Sequence, residues 1–403
     1  MKRIKTCITL FICILCATLS VSGCSSQSKQ PQETTPPEQM SSTFSSPDEI
    51  SSINFNPNYK AIETIMDNID QGENTMYSPL SLNFALGMIN NGATEDVKTD
   101  FEKYFNTDIE TYNNFSKNLI KQNDGVLKIA NSIWVRNDYT LNKNFKKQVE
   151  KYYDAESKTL PFDEDFVTTL NKWCDEKTDG LISEILKEPP VDNTKMLIAN
   201  ALYFNGEWET KYNKEAIRNT DFNTFNQTVK TEGMHSKEDI YLENENATGF
   251  IKYYKSKKYA FVGILPKKDG NFTFKDLDLK TLMDSKKYED VHTMIPKFKF
   301  DSSLKLTDQL PHIGLEKTTI PNSFPNIVNE TPLKVGTVFQ KTTVNVNEKG
   351  TEASAVTIIT MHDNGVQSTP SKEVYLNRPF AFMIYDVENN TPVFVGKVIN
   401  PTQ

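Results

Sequence analysis

Apolar side chains in the first half of the chain recur at the spacing of amphipathic helices. In residues 78–92, Ser78-Pro79 is a favoured helix start, apolar residues follow at positions 82, 85, 86 and 89, and Gly92 is a typical stop. Residues 141–153 and 165–178 carry the same helical spacing, whereas residues 127–135 alternate as a strand does. The first half is therefore predicted to be mainly helical.

The second half shows strand patterns instead. Residues 196–204 form a nearly continuous apolar run, which is typical of a strand buried on both faces. Residues 259–265 stop at Pro266, residues 291–300 alternate around Pro296, and residues 393–399 form the last such run. Because helices come first and long strands follow, we predict an α+β fold. No repeat or second linker interrupts residues 53–403, so we predict one domain there.

The first 52 residues have the pattern of an export signal and a tether. Positive residues 2, 3 and 5 precede a mostly apolar run of 14 residues, 8–21, too short to cross a bilayer core of ~30 Å. Ser22-Gly23-Cys24 follows, which predicts a lipoprotein signal peptide at residues 1–23 and a lipidated Cys24. An ordinary secretory signal with an incidental Cys is the alternative. Residues 24–52, rich in Ser, Pro and Gln, predict a disordered tether to a membrane-anchored, extracytoplasmic domain.

Composition and residue content exclude several classes of function. The net charge is −8 and no basic face carries interleaved aromatic residues, so we expect no nucleic-acid partner. Cys174 would be the lone cysteine beyond the lipidated one, without a His nearby. The four His residues are scattered and no Gly-x-Ser-x-Gly elbow is present. We therefore expect no metal, no cofactor and no catalytic residues, and a chain that is not an enzyme.

The segment from Asn347 onward does not fit a packed element. A strand pattern at Val344 and Val346 runs through Gly350 into small residues, and strongly apolar sequence returns only at residues 378–384. Long loops between strands of a compact domain are uncommon and usually functional. Small residues after a Gly are compatible with a segment that inserts into closely packed structure.

Several motifs, in order along the chain, together resemble the serpin family. They are Asn74 with residues 78–82, then residues 131–135, 171–182, 200–208, 295–298, 376–380 and 396–401. The resemblance covers about residues 53–401. It implies the serpin fold, an α+β architecture with three β-sheets, about eight or nine helices and an exposed reactive-centre loop.

The resemblance also implies a mechanism. The chain would be an irreversible suicide-substrate inhibitor of serine endopeptidases, with cysteine endopeptidases as a second class. The target cuts the loop, forms an acyl-enzyme and is trapped in a covalent complex when the loop enters the main sheet of an otherwise monomeric inhibitor. Implied hinge residues are Glu348, Gly350, Thr351, Glu352, Ala353, Ser354, Ala355, Val356 and Thr357; residues implied in sheet opening are Ser78, Ser81, Asn200, Trp208 and Gln340.

The hinge sequence itself favours insertion. Alternate residues of a strand face the same side, so Thr351, Ala353, Ala355 and Thr357 would share one face, and all are small. A charge or a Pro on that face would block insertion, and none is there. This pattern favours an inhibitor over the alternative, a non-inhibitory serpin that acts as a surface binding or adhesion lipoprotein.

Two ways of counting place the reactive bond differently. The family's usual spacing from Glu348 puts Asn364 before the cut and Gly365 after it, whereas counting back from Leu376 points to Ser368. Met361, Val366 and Gln367 are further alternatives. No Lys or Arg lies between Gly350 and Ser371, so trypsin-like targets are disfavoured.

The chain departs from the family pattern in three respects. Gln340 stands where members often carry His, Val356 is bulkier than the usual Ala, and the loop is about four residues longer than in typical members. An amide can donate and accept a hydrogen bond, so Gln340 would tune sheet opening rather than abolish it.

Overall fold

Helices dominate the first half of the chain, as its apolar spacing predicts. The structure is a computed structural model that describes residues 56–122, 125–351 and 372–403. Its α-helices are α1 Tyr59–Ile69, α2 Pro79–Asn90, α3 Glu95–Phe105, α4 Ile109–Lys121, α5 Lys143–Tyr153, α6 Glu164–Lys177, α7 Phe274–Leu277 and α8 Leu279–Asp284. Short 3-10 helices lie at Lys214–Ala216, Thr307–Gln309, Pro311–Ile313 and Glu316–Thr319.

The predicted helix starts are confirmed, with small shifts that capping explains. Ser78 caps α2, since its Oγ accepts a hydrogen bond from the Ser81 N–H at 3.1 Å, and Pro79 is the first helical residue. Helix α5 begins at Lys143 rather than at Leu141, because the side chain of Asn142 caps it. Within the described residues, no helix is both long and apolar enough to span a membrane.

The strands form three sheets. They are β1 Thr75–Tyr77, β2 Leu127–Arg136, β3 Glu156–Leu160, β4 Met196–Phe204, β5 Gly206–Glu207, β6 Ile217–Asn223, β7 Thr228–Glu243, β8 Ala247–Tyr253, β9 Tyr259–Pro266, β10 Lys287–Pro296, β11 Phe298–Lys305, β12 Phe339–Asn347, β13 Gly350–Thr351, β14 Lys372–Tyr375, β15 Phe380–Asp386 and β16 Thr391–Val398. The largest sheet has the order β1-β16-β15-β9-β8-β7-β10-β14, and β6 also pairs with β7. The other two have the orders β11-β12-β13-β5 and β3-β2-β4. The predicted α+β class and the three sheets are confirmed, and the eight helices of the described residues agree with the expected number.

One strand prediction is wrong. The alternating residues 291–300 are not one strand but the end of β10 and the start of β11, which belong to different sheets. Pro296 has no N–H to continue the β10 ladder, and the Lys297 N–H turns to the carbonyl of Glu232 at 2.9 Å. The break matters because Lys297 becomes part of the site described below.

Aromatic rings join the largest sheet to the four-stranded one. Phe298 of β11 lies 5.3 Å from Phe382 and 5.9 Å from Phe380, ring centre to ring centre, and Phe382 stacks on Phe261 of β9 at 5.8 Å. A second, smaller cluster lies under α6, where Trp134 meets Phe166 and Trp173. The faces of β2 and β4 that α6 covers are thereby buried.

The two smaller sheets are connected by the chain itself. Strand β4 ends at Phe204, and β5 begins at Gly206, so the backbone passes from one sheet into the other at Asn205. Among the described residues, β4 pairs with β2 alone, and β12 pairs with β11 and β13. Strands β4 and β12 are thus not paired with each other, and the two residues of β13 lie where a strand between them would begin.

Candidate functional site

The first two residues of the predicted insertion segment, Gly350 and Thr351, lie between two strands as β13. Gly350 pairs with Asn347 of β12 and Glu207 of β5, and Thr351 pairs with Val346 and Gly206. A Cβ atom on Gly350 would lie 2.0 Å from the Gly206 carbonyl oxygen, so only glycine allows this approach. The hinge therefore starts inside the sheet rather than outside it.

Thr351 faces the core. Its side chain is 3% exposed, and its Oγ1 lies 2.7 Å from the hydroxyl of Tyr254, within hydrogen-bond distance. Its partner on β12, Val346, is also buried, as expected for paired residues that share a face. The structure thus places the first member of the small-residue face against the interior.

Trp208 and Tyr212 hold the backbone that precedes β13. The Trp208 Nε1–H donates to the Asn347 carbonyl at 2.8 Å, and its backbone N–H donates to the Lys349 carbonyl at 3.0 Å. The Tyr212 N–H donates to the Glu348 carbonyl at 3.1 Å. The indole stacks on the Tyr254 ring at 4.6 Å, so the two stacked rings contact the chain just before Gly350 and at Thr351 just after it. We call Trp208, Tyr212 and Tyr254 the hinge clamp.

The Glu348 side chain is held by a cation. Lys297 Nζ lies 2.9 Å from a Glu348 oxygen and 2.9 Å from a Glu232 oxygen on β7. The hydrogen bond from Lys297 lowers the pKa of Glu348 below its ordinary value of 4.5. The ion pair ties the hinge to the largest sheet.

Acid is expected to loosen the hinge through Glu348. Because its folded-state pKa is depressed, the ion pair stabilises the hinge fully above about pH 4.5, and this contribution is lost as the pH falls through the lowered pKa. The ¹⁹F resonance of 5-fluorotryptophan at position 208, assigned with Trp208→Phe and followed from pH 6 to pH 3, should report the release. Glu348→Gln should abolish the transition, whereas Glu232→Gln, which removes the other carboxylate on Lys297, should keep it. A transition that persists in Glu348→Gln would assign the acid sensitivity to another group.

A cavity lies next to Thr351, along the line between β4 and β12. Residues of both strands line it, Leu202 and Tyr203 on one side and Thr343 and Val344 on the other. The segment that follows α6 also lines it, through residues 181 and 182. Lys341 of β12 donates to the Glu184 carbonyl of that segment at 3.0 Å. The space that would receive a further strand is therefore bordered on both sides and lined by the segment after α6.

Gln340 joins β12 to the start of α2. The Gln340 side-chain amide makes two hydrogen bonds with the Ser78 backbone. The Ser78 N–H donates to Gln340 Oε1 at 2.7 Å, and Gln340 Nε2 donates to the Ser78 carbonyl at 3.0 Å. Ser78 Oγ in turn donates to the Val393 carbonyl at 2.7 Å and accepts the capping hydrogen bond from the Ser81 N–H. Two positions along β12, Thr342 Oγ1 donates to the Met76 carbonyl at 3.1 Å.

The five residues implied in sheet opening occupy three places. Ser78 is hydrogen-bonded to Ser81 and to Gln340, whereas Trp208 belongs to the hinge clamp. Asn200 on β4 donates through Nδ2 to Asn131 Oδ1 at 2.7 Å, and its own buried Oδ1 has no hydrogen-bond partner among the described residues. Asn200 and Gln340 therefore lie on β4 and β12, two strands that are not paired with each other.

The remaining predicted residues lie outside the described part of the chain. These are Cys24, the hinge residues from Glu352 through Ala353, Ser354, Ala355 and Val356 to Thr357, and the candidate reactive residues Met361, Asn364, Gly365, Val366, Gln367 and Ser368. Sequence reasoning missed Tyr212 and Tyr254 altogether and assigned no role to Lys297. No local sequence pattern identifies these three residues, because each is far from the hinge in sequence and contacts it only in the folded chain.

Two observations on the described residues concern metal binding and the one cysteine among them. No group of three or more His, Cys, Asp and Glu that could hold a metal occurs among them. Burial raises the pKa of the Cys174 thiol to about 12, so at neutral pH the group is a protonated core residue and a poor nucleophile.

Comparison with known proteins agrees with this geometry. Residues 61–401 match the family model described as serpin (serine protease inhibitor). The chain is 30% identical over 358 residues to a serpin-like protein of Methanosarcina mazei, covering 82% of each. It superposes on the native state of the thermophilic serpin Tengpin with a TM-score of 0.78 at 32% identity, covering 88% of this chain and 96% of that one. For the latent state of Tengpin the TM-score is 0.70. Sequence and fold thus agree, and the chain belongs to the serpin family of serine protease inhibitors.

Proposed function

We propose that this chain is an irreversible suicide-substrate inhibitor of serine endopeptidases, and of some cysteine endopeptidases, that traps the acyl-enzyme by loop insertion. The observation that carries the proposal is the position of β13, already seated between β5 and β12 with Thr351 turned to the core. A loop that starts inside the sheet needs only to continue along the same line.

The register of β13 indicates what the continuing strand would meet. Counting on from Thr351 opposite Val346, Ala353 would lie opposite Val344, Ala355 opposite Thr342 and Thr357 opposite Gln340. These β12 residues are all buried, so only small side chains fit on that face. Ala and Thr at these positions are compatible with insertion.

The chemistry belongs to the target protease. Its Ser or Cys attacks a loop carbonyl and forms an ester or thioester with the residue before the cut, and the peptide after the cut leaves with its new amino group. Insertion of the hinge then carries the acylated protease along and distorts its active site. Loss of one oxyanion-hole donor costs a protease ~2.7–4 kcal/mol of transition-state stabilisation, which stalls deacylation.

New backbone hydrogen bonds supply the driving force. At ~1 kcal/mol net for each bond, a strand that pairs on both edges over about ten residues gains on the order of 10 kcal/mol. The uncut form is therefore kinetically trapped, and cutting should raise its heat resistance.

The test uses the soluble chain from Ser25 onward, mixed with elastase-, subtilisin-, papain- and trypsin-type proteases. A denaturant-stable complex on gels would support inhibition, and the mass of the released C-terminal peptide would locate the reactive bond. Complexes are expected with the first three types and not with the trypsin type, because residues 351–371 contain no Lys or Arg. Cleavage by every protease without a complex would overturn the proposed inhibition and leave the alternative of a non-inhibitory binding lipoprotein.

The proposed site of action is the outer side of a membrane. Two acyl chains on Cys24 would hold the protein stably there, and the 28 residues 25–52, fully extended, could reach up to ~95 Å at ~3.4 Å per residue. The wild-type protein is expected to incorporate labelled palmitate, and Cys24→Ala is not. Equal incorporation by the variant would contradict lipidation at Cys24.

A further inference from the structure

A buried lysine lies behind the hinge clamp. Lys252 of β8 is 2% exposed, and its Nζ makes a salt bridge of 2.8 Å with Glu238 of β7. The same ammonium lies 4.7 Å from the ring centre of Tyr212 and 5.5 Å from that of Trp208. It thus contacts two of the three residues that hold the hinge.

The carboxylate partner is itself fixed. Ser236 Oγ donates to Glu238 Oε1 at 2.6 Å and lies 2.9 Å from Thr293 Oγ1 on β10, within hydrogen-bond distance. Ser236 Oγ also lies 3.3 Å from the Tyr212 hydroxyl, which gives Tyr212 a second link to this network. The ammonium is therefore anchored to the largest sheet from one side and covered by the clamp rings from the other.

We propose that Lys252 is a positioning residue for loop insertion, which fixes Trp208 and Tyr212 so that they hold residues 347–349 and seat β13. A desolvated ammonium is stabilised by the faces of aromatic rings, and this attraction is stronger in a buried site than in water. Moving either ring away from Lys252 would remove one of its two aromatic contacts, and moving both would leave the charge with Glu238 alone. The cost of that movement keeps the indole N–H aimed at the Asn347 carbonyl.

This inference rests on one part of the proposed function, the insertion of the cleaved loop into the sheet. It does not require that a protease is inhibited. The variant to test is Glu238→Gln with Lys252→Met, which removes both charges together and leaves no uncompensated buried ion. Loop insertion after cleavage by a non-target protease is expected to slow about 10-fold, the equivalent of ~1.4 kcal/mol. Insertion is read from the time course of the gain in heat resistance.

Two further readouts separate positioning from general stability. The chain has three tryptophans, so 5-fluorotryptophan labelling gives three ¹⁹F resonances, of which Trp208 is assigned with Trp208→Phe. In the double variant only the Trp208 resonance should shift, and the amides of Gly350 and Thr351 should exchange faster. Lys252→Arg keeps a cation and should restore the insertion rate.

The matched control is Lys397→Met with Asp70→Asn. Lys397 is also buried and ion-paired, and its Nζ lies 4.5 Å from the Phe272 ring centre, but its contacts are Asp70, Asn271 and Phe272 rather than the clamp. This control should leave the Trp208 resonance and the insertion rate unchanged even if it lowers stability.

The outcomes are decisive in either direction. Wild-type insertion rate and an unshifted Trp208 resonance in the Glu238→Gln, Lys252→Met variant would overturn the role of Lys252, as would equal slowing in the Lys397 control. If the cleaved wild-type protein gains no heat resistance, the proposed function fails. The role of Lys252 in insertion then fails with it, and the Trp208 resonance and the exchange of the β13 amides decide separately whether Lys252 positions the hinge clamp.

Discussion

Thr351→Arg is expected to convert the protein from an inhibitor into a substrate. The Thr351 side chain is buried against Tyr254, and an arginine there would place an unpaired charge in the core, at a cost of roughly 3–5 kcal/mol. The protein can avoid the cost by keeping β13 out of the sheet, so folding should survive while insertion slows more than about 100-fold. Deacylation of the acyl-enzyme would then be faster than loop insertion, and the protease would be released active.

The measurement is the number of inhibitor molecules consumed for each protease molecule inactivated, together with the fraction in denaturant-stable complex. Glu352→Arg places the same arginine one residue further along, on the side that would face away from the core by strand alternation. It should retain the wild-type ratio. Efficient trapping by Thr351→Arg would show that seating of Thr351 is not required.

Gln340→Met is expected to destabilise the native sheet by roughly 2–3 kcal/mol. Methionine matches the length of glutamine but leaves the fully buried Ser78 N–H without its 2.7 Å acceptor, and an unsatisfied buried donor costs about 1–3 kcal/mol. The Ser78 carbonyl keeps its bond from the Leu82 N–H at 3.2 Å, which limits the loss. Because Gln340 ties β12 to α2, its loss should also let β12 separate more easily.

Urea unfolding and the half-life of inhibitory activity at 37 °C would test this prediction, and both should fall. Asn345→Met on the same strand is the matched control, since Asn345 lies on the less buried face and alternates with Val344 and Val346. Its effect should stay within about 0.5 kcal/mol. Equal destabilisation by the two substitutions would mean that the amide of Gln340 has no special role.

Local patterns predicted the elements well where one physical rule dominates. The Ser78-Pro79 start of α2 follows from capping and from the fixed φ of proline, and it was predicted to the residue. The apolar run of β4 coincides with residues 196–204. The single strand predicted for residues 291–300 was wrong. Apolar alternation continues through Lys297, although the chain passes there from one sheet to another. Periodicity carries no information about which sheet a strand joins.

The sequence alone determined what the hinge can do. The glycine at position 350 and the small residues after it can be read directly from the sequence. They keep small the side-chain volume that a sheet would have to accommodate if this segment entered it. The family resemblance, and with it the fold, could also be read from ordered motifs.

Only the tertiary structure decided what holds the hinge. Thr351 meets Tyr254 across 97 positions of sequence, and Ser78 meets Gln340 across 262. Lys252, a charged residue in a strand pattern, becomes the buried neighbour of two clamp residues only when β7 and β8 pair and pack behind Trp208. Such contacts depend on how distant segments pack, and the energy of burying a charge is set by neighbours that the local sequence does not specify.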